Sequence, residues 1–169
     1  QDVYFFADTT VNVNPTAEQL AEIAISAADT VREFDVIPKI AMLSFSNFGS
    51  APYPESIKVK QATELVKKNR PDLLVDGEMQ ADTAVVPEII EADFPFSSLK
   101  SRPNVLIFPD LNSGNIAYKL MARIGQASVV GPILMGMKKP IHVLQRGATV
   151  DDIINMTAIA VAEAKAKKK

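Results

Sequence analysis

Cysteine is absent from the 169 residues, which excludes disulfides, thiolate metal ligands and a cysteine nucleophile at once. Histidine occurs once, as His142, and a single imidazole rules out the paired-histidine helix motif of zinc enzymes. No Gly-x-Gly-x-x-Gly follows a strand-like run and no Gly-Lys-Ser/Thr is present, so no nucleotide fingerprint of the familiar kinds is carried here. Apolar runs approaching the ~20 residues of a membrane span are also missing. With a net charge of -2, neither nucleic acid nor a membrane surface is implied as a partner. The chain opens at Gln1 without an initiator methionine, a basic leader or a signal-type apolar stretch, and is expected to be a piece of something longer. A reducing, cytoplasmic setting is compatible with these absences.

What is present is an ordinary globular composition, 47% hydrophobic and 22% charged. A chain of this length fits one domain or two small ones and can bury about 70% of its unfolded surface. The pattern along it alternates. Val3 to Ala7 reads as a strand, and Thr16 and Gln19 stand at capping-box spacing ahead of a helix to about Phe34, with Leu20, Ile23, Ala24, Ala27 and Val31 on its buried face. Lys39 to Ser44 reads as a strand, Glu55 to Asn69 as a charged amphipathic helix, and Leu73 to Val75 as a strand closed by an Asp76-Gly77 turn. Met79 to Glu91 is expected as a helix interrupted at Pro87, Val105 to Phe108 as a strand and Asn112 to Ile124 as a helix. Val129-Val130 and Ile141 to Leu144 are further strand candidates, and Thr149 to Lys167 is the last helix. Such alternation predicts an α/β fold with a mostly parallel sheet and helices on both faces. Ligands then bind beyond the carboxyl ends of the strands, at the loops around Asp8, Ser44 to Ser50, Asp76 to Gln80, Pro109 to Asn115 and Gln145 to Thr149.

Within those loops several clusters have chemical potential, each with a plain structural alternative. "SFSNFGS" (44–50) sets Ser46, Asn47 and Ser50 around a glycine, offering hydroxyls and N–H groups to a phosphate or serving as a simple connection. "DGEMQAD" (76–82) presents Asp76, Glu78 and Asp82, either oxygen ligands for a divalent ion or, the preferred reading, a turn and a helix start, with no metal expected. "PDLNSGN" (109–115) brings Asn112, Ser113 and Asn115 to a helix N-terminus suited to an anion. His142 in "KKPIHVL" reads as a hydrogen-bonded structural histidine, and the terminal lysines 165–169 as a solvated tail. Thr149 and Asp152 have capping-box spacing, which leaves Arg146 unaccounted for, since a cation before a positive helix end is unhelpful without an intervening anion. Finally, "IINMTAIAVA" (153–162) is apolar on nearly every face, which predicts burial or contact with another chain or lobe.

The blocks "NPTAEQLAEIAISAA", "RPDLLVDGEMQADTAVVPEI", "NVLIFPDLNSGNIAYKLMARIG", "VVGPILMGMKKP" and "QRGATVDDII" together resemble the phosphate acetyltransferases along nearly the whole chain. "SFSNFGS", "MQAD", "KKPIHVL" and "IINMTAIAVAEA" look more like the C-terminal phosphotransacetylase-like domain of bacterial NADP-dependent malic enzymes. The resemblance implies a phosphate acetyltransferase or isocitrate dehydrogenase-like lobe over residues 1–169, comprising the second lobe and C-terminal helix. A first lobe and malic-enzyme catalytic domains would lie outside this sequence. It implies a regulatory and oligomerisation domain, homodimeric, binding acetyl-CoA as an allosteric effector of a parent that decarboxylates malate to pyruvate. NADP and a divalent metal would serve the parent's other domains, and this chain would need no cofactor of its own.

The alternative implied by the same resemblance is a phosphate acetyltransferase fragment, moving acetyl between acetyl phosphate and coenzyme A. There Arg146 would stabilise anionic charge and Asp152 would help deprotonate the thiol. In either case Ser46, Asn47, Ser50, Asn112, Ser113, Asn115 and Arg146 are expected to contact acetyl-CoA. Two departures count against transfer chemistry: Gln145 stands where the acetyltransferase pattern has serine, and Phe48 where it has lysine. A third outcome is a dimerisation module without ligand.

Overall fold

A computed structural model describes residues 3–166. Four strands form one all-parallel sheet in the order β1-β4-β2-β3. They are β1 (Phe5–Ala7), β2 (Lys39–Leu43), β3 (Leu74–Met79) and β4 (Val105–Ile107). Between and after them run α1 (Ala17–Arg32), α2 (Pro54–Asn69), α3 (Ala81–Val85), α4 (Pro87–Asp93), α5 (Leu111–Arg123) and α6 (Val150–Ala166). The parallel sheet with helices on both faces is the architecture that the alternating pattern predicts.

Side chains alternate across the pleat and divide the core in two. Ile40, Met42, Val75, Val105 and Ile107 meet α1 and α2 on one face. Ala41, Leu43, Leu106 and Met79 meet Ala84, Ile90 and Leu99 on the other. The α1 face is the expected one, with Leu20, Ile23, Ala24, Ala27 and Val31 all buried. Its start is the expected capping box, in which Gln19 N donates to Thr16 Oγ1 at 3.3 Å and Thr16 N donates to Gln19 Oε1 at 2.9 Å. The alanines let α1 lie close to the sheet and α2, while Pro54 sets the first turn of α2.

Two expectations are corrected. Asp76-Gly77 is not a turn, and Met79 does not begin a helix: both belong to β3, whose ladder against β2 runs from Leu74 to Met79. Asp76 supports this extended course because its carboxylate is satisfied by neighbours. Gly77 does so because a Cβ there, at φ +143°, would lie 2.6 Å from Met42 O. The interruption expected at Pro87 is present: two short helices meet at Val86, because proline cannot donate to the preceding turn. Val129-Val130 and Ile141 to Leu144 form no strand. Their β-branched residues suit a strand, but a strand requires a ladder partner, and among the described residues none pairs with them.

The last helix begins where its cap predicts, at Val150 after Thr149. Among its described residues only Met156 and Glu163 are buried, while Ile153, Ile154 and Val161 are exposed. His142 anchors it: Nε2 lies 3.0 Å from Glu163 Oε2, and Leu134 N donates to Nδ1 at 3.4 Å. With Nδ1 accepting, Nε2 carries the proton and donates to the carboxylate. The structural role expected of this histidine is thus met. Of the basic tail, Lys165 lies exposed in the last turn, whereas 167–169 are outside the described residues.

Gly114 in α5 sits directly over the turn after β1, and an added Cβ would collide with Asp8 O. Gly114→Ala is expected to lower stability by about 1–3 kcal/mol, as overpacking at a rigid contact does. A urea midpoint within error of the parent's would show that α5 moves away freely.

Candidate functional site

The carboxyl ends of the strands lead into three groups of polar residues. In the first, the Asp8 carboxylate closes the turn after β1 by accepting from Thr10 N at 2.7 Å, Val11 N at 3.0 Å, and Asn12 N and Nδ2 at 2.7 Å each. Burial alone would raise the Asp8 carboxyl, but these donors outweigh it and hold it below its ordinary value. Asp110 caps α5 by accepting from Ser113 N at 2.8 Å, and Ser113 Oγ donates to Asp110 O at 2.9 Å. Asn115 Nδ2 donates to Thr9 O at 3.1 Å. Lys58 Nζ reaches in from α2 to Asn14 Oδ1 at 3.1 Å and Pro109 O at 2.9 Å. Asn112 is exposed, and its side chain makes no hydrogen bond among the described residues.

The second group staples the loop after β2 to the end of β3. Ser46 is fully buried, and its Oγ donates to Glu78 Oε1 at 3.0 Å, the oxygen that also accepts from Gly49 N at 2.5 Å. Phe48 N donates to Glu78 O at 2.8 Å. Asn47 is matched to Gln80 in both directions, Gln80 N to Oδ1 at 2.7 Å and Nδ2 to Gln80 Oε1 at 3.2 Å. Ser50 Oγ accepts from Asn47 N at 2.9 Å. Ser46, Asn47 and Ser50 therefore come together as expected, yet their polar atoms already hold the loop's own shape. Phe48, at φ +47°, sends its ring against Phe94 and Phe96, with centroids 5.0 Å away in each case.

The third group is the approach to α6. Asp152 Oδ2 accepts from Thr149 N at 2.8 Å and Thr149 Oγ1 at 2.9 Å, while Asp152 N donates to Thr149 Oγ1 at 3.2 Å. The backbone N–H of Thr149, then its hydroxyl, hold the Asp152 carboxyl below the usual range. Arg146 is exposed and has no carboxylate within ion-pair distance among the described residues. No hydrogen bond or ion pair among them joins Arg146 or Asp152 to the other two groups.

Sequence reasoning assigned no role to Asp8, Lys58 or Gln80. The Asp8 turn was recognisable as an aspartate followed by polar residues able to donate back to it. Lys58 and Gln80 were not, since each acts on a loop distant in sequence. Asp76, Glu78 and Asp82 do not converge, and no group of three or more His, Asp or Glu able to hold a metal occurs among the described residues. No described helix is long and apolar enough to cross a membrane.

The family model described as phosphate acetyl/butaryl transferase matches residues 1–161, and the chain belongs to that family. A phosphate acetyltransferase of Clostridium acetobutylicum is 48% identical over 165 residues, covering 97% of this chain and 50% of that protein. The NADP-dependent malic enzyme of Escherichia coli is 49% identical over 161 residues, covering 95% of this chain and 21% of that protein. A phosphotransacetylase from Streptococcus pyogenes superposes with a TM-score of 0.93 at 46% identity, over 98% of this chain and 50% of that structure. The chain thus spans about half the length of the Clostridium acetyltransferase and of the Streptococcus structure, and about a fifth of the malic enzyme.

Asp76 offers a test of the electrostatics. Burial would raise its carboxyl, but the Lys67 ammonium at 2.7 Å, Ser98 N at 2.7 Å and Ser97 Oγ at 2.8 Å hold it below its ordinary value. A carboxyl depressed on folding contributes stability present above its unfolded value, about pH 4, and lost as pH falls through the folded value. Asp76→Asn should therefore show a shallower loss of stability below pH 4 than the parent, measured by urea midpoints at successive pH values. Parallel curves would remove Asp76 from the acid response.

Proposed function

We propose that this chain supplies one side of a coenzyme A-dependent acyl-transfer cleft, moving acetyl between acetyl phosphate and coenzyme A. Family membership and the acetyltransferase relatives support the reaction class. The observation carrying the site is Arg146, an exposed guanidinium ahead of the positive end of α6 with no carboxylate within ion-pair distance among the described residues. An anion between the two resolves that electrostatic conflict, and both substrates are anions.

In the reaction the thiolate sulfur attacks the acetyl carbon, the bond from that carbon to the phosphate oxygen breaks, and phosphate leaves with the electron pair. Arg146 faces the charge that develops on the acyl oxygen and departing phosphate. Asp152 commits Oδ2 to capping and keeps Oδ1 for the thiol hydrogen. A carboxyl held low is a weak base toward a thiol with an ordinary value near ~8.5, so Arg146 must stabilise the thiolate for this transfer to proceed. The leaving phosphate is the final proton acceptor.

Arg146→Ala in the full-length protein is expected to lower the turnover of acetyl phosphate with coenzyme A by about 10²- to 10³-fold, the scale of losing one oxyanion donor. Asp152→Asn should keep the cap and the thermal midpoint but lose turnover. Asp152→Asn with full activity would leave that residue a cap alone, and full activity in Arg146→Ala would end the proposal.

A second reading is favoured by Phe48, partly buried and packed against Phe94 and Phe96 where the acetyltransferase pattern has lysine, and by Gln145. In it the domain binds acetyl-CoA as an effector of an attached NADP-dependent malic enzyme, in a cytoplasmic assembly whose NADP and divalent metal sit elsewhere. Exposed Ile116, Leu120 and Ile124 on α5 and Ile153 and Ile154 on α6 are apolar surface that a further lobe or a homodimer would cover. Relief of acetyl-CoA inhibition of malate oxidation by Arg146→Ala would support this reading over the first.

A further inference from the structure

Beside the loop after β2, a groove of about 350 Å³ runs between α2 and the outer edge of β3. Phe48 and Phe96 line it together with Lys60, Glu64, Lys67 and the β3 residues Asp76 to Glu78. Its charges are unequal: three carboxylates stand against two ammonium groups. Lys67 is committed to Asp76 at 2.7 Å, and Lys60 and Glu64 are exposed on one face of α2, four residues apart. The remaining carboxylate, Glu78, is 2% exposed. Its Oε1 accepts from Ser46 Oγ and Gly49 N, but its Oε2 is buried without a hydrogen-bond partner. A buried carboxylate oxygen left unpaired is costly, and a charged donor is the partner that offsets it best.

The walls point the same way. Phe48 and Phe96 meet edge to face with centroids 5.0 Å apart, and Phe96 is 69% exposed despite its size. Aromatic faces beside a carboxylate form the chemistry that recognises organic cations, through the ring quadrupole and a charge-assisted hydrogen bond. We propose that this groove binds a small organic cation bearing a primary ammonium or guanidinium group, which donates to Glu78 Oε2 and lies against Phe48 and Phe96. The site is separate from Arg146 and does not depend on the acyl-transfer reading. Because Glu78 also fixes the Ser46 to Gly49 loop, occupancy would stiffen that loop from the opposite side.

The test is calorimetric titration of the full-length protein with putrescine and with agmatine, using 1,4-butanediol as the uncharged control of similar length. Saturable binding of at least one of the two cations and none of the diol is expected. Glu78→Gln keeps a carbonyl oxygen for Ser46 and Gly49 but presents an N–H₂ in place of Oε2, and should weaken binding by about tenfold or more. Phe96→Ala removes an exposed wall without touching the core and should weaken it several-fold. Arg146→Ala should leave it unchanged. Absence of saturable cation binding, equal binding of the diol, or affinity unaltered in Glu78→Gln would overturn the proposal. Should Glu78→Gln fail to fold, unaltered affinity in Phe96→Ala would overturn it.

Discussion

Parallel pairing of β2 on both its edges is the constraint from which the rest follows. With β4 on one side and β3 on the other, every strand points the same way and all carboxyl ends open on one edge. Each return must then cross the sheet, which places α1 and α2 against one face and α3 and α4 against the other. The close approach of Gly77 to Met42 lets β3 continue far enough to carry Glu78 and Gln80 to the loop after β2. A side chain at that glycine would push β3 outward and take those residues away from their partners.

A division of labour among the polar residues results. Those on the two inner loops are consumed by structure: Ser46, Asn47 and Ser50 bind β3 and each other, while Ser113 closes the cap of α5 on Asp110 and Asn115 holds α5 to the turn after β1. Such satisfaction is what partly buried polar groups require, and it makes these loops rigid supports for a ligand more than sources of free donors. Arg146, Asn112 and Asp152 Oδ1 remain uncommitted. In the proposed reading that remainder serves acyl transfer, and the equal likeness to acetyltransferases and malic enzymes leaves the role within a larger protein to its other parts.

Beyond α5 the chain behaves differently. Residues 126–149 have no regular structure, and α6 buries little beyond Met156 and Glu163. The His142–Glu163 hydrogen bond, nearly sealed from solvent, ties α6 to the preceding segment. An anchor of this kind keeps the helix oriented while its apolar residues stay available to a partner surface.

Periodicity sufficed for the parallel α/β class, the buried face of α1, and the caps at Thr16 and Thr149, because each rests on residues within a few positions of one another. The approach to α6 was legible for the same reason: once the cap explained Thr149 and Asp152, Arg146 stood out as an uncompensated charge. Asp76-Gly77 misled, since the commonest turn pair becomes a strand when Lys67, Ser97 and Ser98 satisfy the aspartate and Met42 leaves room for glycine alone. The segments around Val129 and Ile141 misled in the opposite sense, having strand composition without a ladder to join. Which serines and asparagines would be free, and that Glu78 would be buried with one oxygen unpaired, was decided by tertiary structure. The contacts of Ser46 with Glu78, Asn47 with Gln80 and Asn115 with Thr9 join residues 32, 33 and 106 positions apart, and such contacts leave no periodic trace in a single sequence.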